Sequence, residues 1–157
     1  MSNINPILLV EDNPKDLELT LAALERSQLA NEVVTARDGA EALDWLFARG
    51  PHEGRNSGDP AVVLLDLKLP KVDGLQVLEA VKRDADLKHV PIVMLTASKE
   101  ESDLVKSYQL GVNAFVVKPV DFKEFFKAIQ DIGMFWAILN EPHPMRPRST
   151  PMKVTEA

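Results

Sequence analysis

Five residues with the chemistry for metal and phosphate work each stand where a short apolar run stops. Glu11 and Asp12 follow Ile7-Leu8-Leu9-Val10, and Asp66 follows Ala61-Val62-Val63-Leu64-Leu65. Thr96 follows Pro91-Ile92-Val93-Met94-Leu95, and Lys118 follows Ala114-Phe115-Val116-Val117. Three carboxylates in one crevice repel, and a divalent cation relieves that repulsion. An all-oxygen donor set favours Mg2+, which prefers octahedral coordination and keeps several waters. A carboxylate beside such a metal, an ammonium and a hydroxyl suits phosphoryl transfer. Metal and ammonium neutralise charge on the transferring group, and the hydroxyl donates a hydrogen bond to it. A carboxylate can itself be the nucleophile, giving an aspartyl phosphate. Taken singly, each of these residues reads most simply as solvated surface, and Lys118-Pro119 as a turn. Their joint placement is what points to a site.

The elements that must position them follow from apolar periodicity. The four runs above, together with Glu32-Val33-Val34-Thr35-Ala36, read as five buried or β-branched strands. Between them lie helical patterns. Asn13-Pro14 is an N-cap with Pro at the first helical position, followed by Leu17, Leu21 and Leu24. Asp38-Gly39 precedes Ala42, Leu43, Leu46 and Phe47, and Pro70 and Gly74 precede Leu75, Leu78 and Val81. Ser98 to Glu101 fits a capping box. It opens a helix carrying Leu104 and Tyr108 on one face, with Gly111 at its end. Asp121 and Glu124 open a last helix reaching about Leu139. Strict strand–helix alternation with right-handed crossovers predicts an α/β fold. Its five-stranded, doubly wound parallel sheet has five helices on two faces. In such sheets, sites form outside the carboxyl ends of the strands. The first and third strands should meet at the switch point, which brings Glu11, Asp12 and Asp66 together.

Composition narrows the classes further. The chain has 157 residues, no Cys, and 18 basic against 24 acidic residues, a net charge of −6. Disulfide, thiolate-metal and thiol chemistry are excluded, and the acidic balance argues against a nucleic-acid partner. No apolar run is long enough for a membrane span, and the first residues lack a signal-peptide pattern. A cytoplasmic protein is expected. Residues 140–157 hold four of the eleven Pro, and read as an extended tail with little secondary structure.

Residues 4 to about 139 resemble the receiver domain of two-component response regulators. The matching pieces are Leu8 to Asn13, Leu64 to Pro70 with Asp73-Gly74, Thr96-Ala97, and Phe115 to Pro119. The resemblance implies that Asp66 is the phosphoacceptor, taking a phosphoryl group from a sensor histidine kinase. It implies that Glu11, Asp12, Asp66 and the backbone carbonyl of Lys68 hold Mg2+. Lys118 would contact the phosphoryl oxygens, with a cis bond to Pro119. Thr96 would hydrogen-bond the phosphoryl group and move inward. Phe115, lacking the hydroxyl of a Tyr, would be the aromatic switch turning in behind it. Small Ala97 would leave the acyl phosphate accessible.

A domain at 4–139 and a tail at 140–157 leave no room for a folded output module. The expected output is therefore protein contact with a downstream partner, a relay step, or dimerisation. Phe125, Ile129, Ile132, Trp136 and Leu139 form one helical stripe, the face for the sheet. Met134, Phe135 and Ile138 lie off that stripe in a segment without charge from Ile132 to Leu139. Met134, Phe135, Trp136 and Ile138 are the candidate interface of a homodimer; the alternative is that the tail folds back over them. The Gly50–Pro60 loop and this C-terminal segment resemble the single-domain regulators paired with bacterial phytochrome kinases, which implies a bacteriophytochrome as donor. The loop reads equally as a tolerated insertion.

The domain modifies itself, so a switch rather than an ordinary enzyme is expected. Two rivals stand beside it. A Mg2+-dependent phosphatase of haloacid-dehalogenase type would need Asp-x-Asp, and Asp66-Leu67-Lys68 lacks the second Asp. A pure interaction module would have no use for the five site residues. No Gly-rich phosphate loop is present, so no nucleotide cofactor is expected.

Overall fold

The computed structural model describes residues 5–26, 31–55, 59–107, 109–132 and 153–156. The five expected strands are β1 (Ile7–Val10), β2 (Glu32–Ala36), β3 (Val62–Asp66), β4 (Ile92–Thr96) and β5 (Ala114–Val117). The helices are α1 (Pro14–Arg26), α2 (Gly39–Leu46), α3 (Gly74–Arg83), α4 (Lys99–Ser107) and α5 (Phe122–Ile132). A short 3-10 turn spans Gly50–His52. All strand pairs are parallel, and β1 lies between β2 and β3 with Val10 opposite Leu65. The switch point is therefore where the sequence put it.

Both faces of the sheet are covered, which is why the strands are apolar throughout rather than alternating. Ile7 and Leu9 point to one face and pack with Ala23 and Leu24 of α1 and Phe125 and Ala128 of α5. Leu8 and Val10 point to the other and pack with α2, α3 and Val105 of α4. All four β1 side chains are fully buried. Each such burial stabilises the fold by roughly 1.5–3 kcal/mol before entropy is counted.

Helix starts follow the local signals. Asn13 Oδ1 accepts from the N–H groups of Lys15 (2.9 Å) and Asp16 (3.0 Å). Asp38 caps α2 through Glu41 N–H at 2.7 Å, and Asp73 forms a reciprocal capping box with Gln76. At Ser98 the box is altered. Ser98 Oγ accepts from Glu101 N–H, but the Glu101 carboxylate reaches back one residue further, to Ala97 N–H at 2.8 Å.

Three expectations are corrected. The tail is not wholly without structure: Lys153–Glu156 form a sixth strand, β6, parallel to β2, so the sheet order is β5-β4-β3-β1-β2-β6. The edge N–H and C=O groups of β2 provide a template that a β-branched pair such as Val154-Thr155 can extend. Helix α4 ends at Ser107 rather than at Gly111, and the chain turns through Gln109 and Gly111, both at positive φ. Leu104 does not join the core but is 53% exposed, while Ser102 and Val105 face inward. Tyr108, the last helix beyond Ile132 and the interface candidates Met134, Phe135, Trp136 and Ile138 lie outside the described residues.

The 50–60 loop is fastened rather than loose where it is described. The Arg55 guanidinium lies 3.7 Å from the Trp45 ring centroid, with Nε donating to Trp45 O and an outer nitrogen to Leu46 O. Arg55 thus adds side-chain donors to carbonyls in the last turn of α2, where Trp45 O also accepts from Ala48 N–H at 3.2 Å.

Candidate functional site

Each site residue is held by the end of its strand. Glu11 continues β1, and its N–H donates to Ala36 O at 3.0 Å, which fixes it against β2. Asp66 is the last residue of β3, opposite Leu95 of β4. Helix α3 begins directly against it: a Cβ on Gly74 would collide with the carbonyl oxygens of Asp66 and Leu67. Only glycine allows that approach, so Gly74 places the Asp66 backbone. Lys118 follows β5, donates its N–H to Thr96 O at 2.8 Å, and precedes a cis Pro119.

The four strand ends converge. One carboxylate oxygen from each of Glu11, Asp12 and Asp66 lies within 4.8 Å of the others. Glu11 and Asp66 are buried, at 1% and 4% exposure, and Asp12 is exposed. Lys118 Nζ sits among acids: 3.1 Å from Glu11 Oε1, 3.2 Å from Asp66 Oδ2 and 3.0 Å from Asp16 Oδ2. Asp16 was not among the sequence candidates. It stands in the first turn of α1, where an acid is common simply because it suits the helix dipole. Position alone therefore could not mark it.

The electrostatics are lopsided. Burial first, then the hydrogen bond and repulsion with Asp66, together raise the Glu11 carboxyl to about 7, against the partial opposition of Asn13 N–H and Lys118. Burial alone would weaken the Lys118 ammonium, but its bonds to Asp16 and Glu11 and the Asp66 charge outweigh this and push it up. One ammonium does not balance this many carboxylates. The surplus negative charge and an all-oxygen donor set fit a hard divalent cation such as Mg2+ or Mn2+. A cavity of about 450 Å3 lined by Asp12, Leu67, Lys68, Leu69, Pro70, Asp73 and Leu75 opens beside the cluster.

Thr96 is fully buried, and its hydroxyl is 2.9 Å from that of Ser102 on α4, another residue the sequence reading passed over. Phe115 is half-buried on β5, with Lys106 Nζ 5.2 Å from its ring centroid. Lys68 extends outward and pairs with Glu101 at 3.1 Å.

The family profile described as the response regulator receiver domain matches residues 7–130, most of the chain. The chain belongs to the response regulator receiver family. The receiver is similar to the bacteriophytochrome response regulator AtBRR, at 72% identity and a TM-score of 0.83 over 88% of this chain and 99% of that one. It is 43% identical to response regulator Rcp1 of Synechocystis sp. (strain ATCC 27184 / PCC 6803 / Kazusa) over 83% of this chain and 87% of Rcp1. A Mn2+-bound structure of Rcp1 matches at a TM-score of 0.67, 42% identity, and 84% and 94% coverage. The phosphorylated cyanobacterial phytochrome response regulator RcpA matches at 0.68 and 42%, covering 85% and 94%. Among the described residues no helix is long and apolar enough to cross a membrane.

Proposed function

We propose that this receiver is a phosphorylation switch. Asp66 accepts a phosphoryl group from the phosphohistidine of a sensor kinase, and a bacteriophytochrome is the kinase its relatives favour. One observation carries the reading: buried Asp66 keeps one oxygen against the Lys118 ammonium, inside a three-carboxylate cluster.

An Asp66 oxygen attacks phosphorus, the P–N bond breaks, and the imidazole leaves with the nitrogen's electron pair. Lys118 follows the charge from the Asp66 carboxylate onto the phosphoryl oxygens. Glu11, Asp12, Asp66 and the Lys68 carbonyl are the residues that would hold Mg2+, and that ion, when bound, supplies charge neutralisation at the transferring group. Thr96 gives up its partner Ser102 to bond the phosphoryl group, and Phe115 turns toward the space this opens, a population shift between two states. Water then hydrolyses the acyl phosphate. The protein modifies itself in this cycle and turns over no external substrate, so it is a cytoplasmic switch rather than an enzyme. Its output is contact with another protein, with homodimerisation through the charge-free segment around Met134, Phe135, Trp136 and Ile138 as the form the sequence supports.

Intact mass after incubation with acetyl phosphate and Mg2+ tests the chemistry. A single phosphoryl adduct is expected in the wild type and none in Asp66→Asn, a near-isosteric change that removes the nucleophile. An adduct retained in the variant, or steady turnover of a generic phosphate ester, would defeat the assignment.

A further inference from the structure

Glu101 has no place in the chemistry just described, yet its carboxylate is surrounded by the positive features of that site. Oε1 accepts from Ala97 N–H at 2.8 Å, and Oε2 pairs with Lys68 Nζ at 3.1 Å. The Ala97 N–H bond chiefly lowers its carboxyl below the usual range, and the more distant Lys118 contributes in the same direction. Ala97 directly follows Thr96, and Lys68 lies two residues past Asp66. The carboxylate therefore bridges the loop that leaves β3, just past the phosphoacceptor, and the loop that leaves the neighbouring β4. An ordinary capping box would have sent it to Ser98 N–H instead.

We propose that Glu101 is an internal anion that occupies the Ala97 N–H donor in the unphosphorylated receiver and is displaced when Asp66 carries a phosphoryl group. This rests on the reading of Asp66 as phosphoacceptor. A phosphoryl group adds roughly −1.5 to −2 charges and several acceptor oxygens at the end of β3, beside the end of β4 that Ala97 follows. One N–H cannot serve both anions, and the two anions repel. Phosphorylation thus expels Glu101, frees Lys68, and loosens the first turn of α4, where Ser102 holds Thr96. Glu101 sets the threshold for the switch: it resists the phosphoryl state until the gain at Asp66 exceeds the contact it gives up.

The test is a titration with beryllofluoride and Mg2+, followed by amide NMR, on the wild type, Glu101→Ala, Glu101→Gln and Glu100→Gln. Both Glu101 variants are expected to bind the mimic about fivefold more tightly. Glu100→Gln makes the same charge change one residue away and should stay within twofold of the wild type. The Ala97 amide resonance should move on adding the mimic to the wild type, and should already be displaced in mimic-free Glu101→Ala. Equal affinity in the Glu101 variants, an equal gain in Glu100→Gln, or an Ala97 amide indifferent to the mimic would each overturn the proposal. If Glu101→Ala fails to fold, Glu101→Gln and the wild-type Ala97 shift decide alone. A wild type that forms the Asp66 adduct while the Glu101 variants match it loses only this proposal. A wild type that takes neither adduct nor mimic loses the phosphoacceptor reading as well.

Discussion

Glu11 is a carboxyl group that burial and Asp66 together discourage from ionising, and the consequence is a particular pH dependence. Its carboxyl titrates near 7 in the fold against 4.5 when unperturbed. Between those values the folded state binds more protons than the unfolded state, so stability falls as pH rises through that window. The contribution is fully present below the unperturbed value and lost above the folded one, on the order of 3 kcal/mol. Urea midpoints measured without metal should drop from pH 5 to pH 7.5, and the drop should vanish in Glu11→Gln. A divalent cation should restore the midpoint at the upper pH, because it replaces the proton. Lys118 faces the opposite demand. Lys118→Ala leaves Glu11, Asp16 and Asp66 without their shared ammonium. Phosphorylation by acetyl phosphate should slow at least tenfold, and Mg2+ binding should tighten in a calorimetric titration. Asp16, invisible in the sequence, should matter through Lys118: Asp16→Asn is expected to shift phosphorylation in the same direction as Lys118→Ala, but less.

At the scale of elements, the site depends on how closely α3 abuts the end of β3. Gly74→Ala places a methyl group against the Asp66 and Leu67 carbonyls, so strand or helix must shift. A loss of about 1–3 kcal/mol in urea unfolding is expected, together with slower Asp66 phosphorylation. A variant as stable as the wild type would show that the helix start yields at no cost. The 50–60 loop makes a separate contribution to the other end of the domain. Arg55→Ala removes both a cation stacked on Trp45 and a donor to two carbonyls of α2. Unfolding should become easier by about 1–2 kcal/mol. The insertion would then be a clamp on α2, a role its sequence did not suggest.

At the scale of the whole molecule, the sixth strand changes what the sheet exposes. With β6 in place, β2 is an interior strand; without it, β2 presents a row of unpaired backbone groups to water and to other chains. Deleting residues 153–157 should raise amide exchange across β2 selectively, leave β4 protected, and increase self-association in light scattering. Uniform protection in both forms would mean that the pairing of β2 with β6 contributes no stability.

The sequence by itself determined the layered α/β plan, because a buried parallel strand must be apolar on both faces and a covering helix on one. That logic placed Glu11, Asp12, Asp66, Thr96 and Lys118 at strand ends before any contact was known, and it located the crevice between β1 and β3. Helix starts at Asn13 and Asp121 were legible because a cap is a contact between residues three apart. What only the tertiary structure decided were contacts that no local pattern specifies, some of them between residues far apart in the chain. Asp16 reaches Lys118 across 102 positions. Ser102 meets Thr96, and Glu101 turns from its expected cap to Ala97, because the loop before α4 folds back over the strand end. Leu104 lies outside and Ser102 inside because the rotation of α4 is set by what it packs on. The tail became a strand because β2 offered an edge. Local periodicity records which face of an element is buried, and it carries no record of which distant side chain will be waiting there.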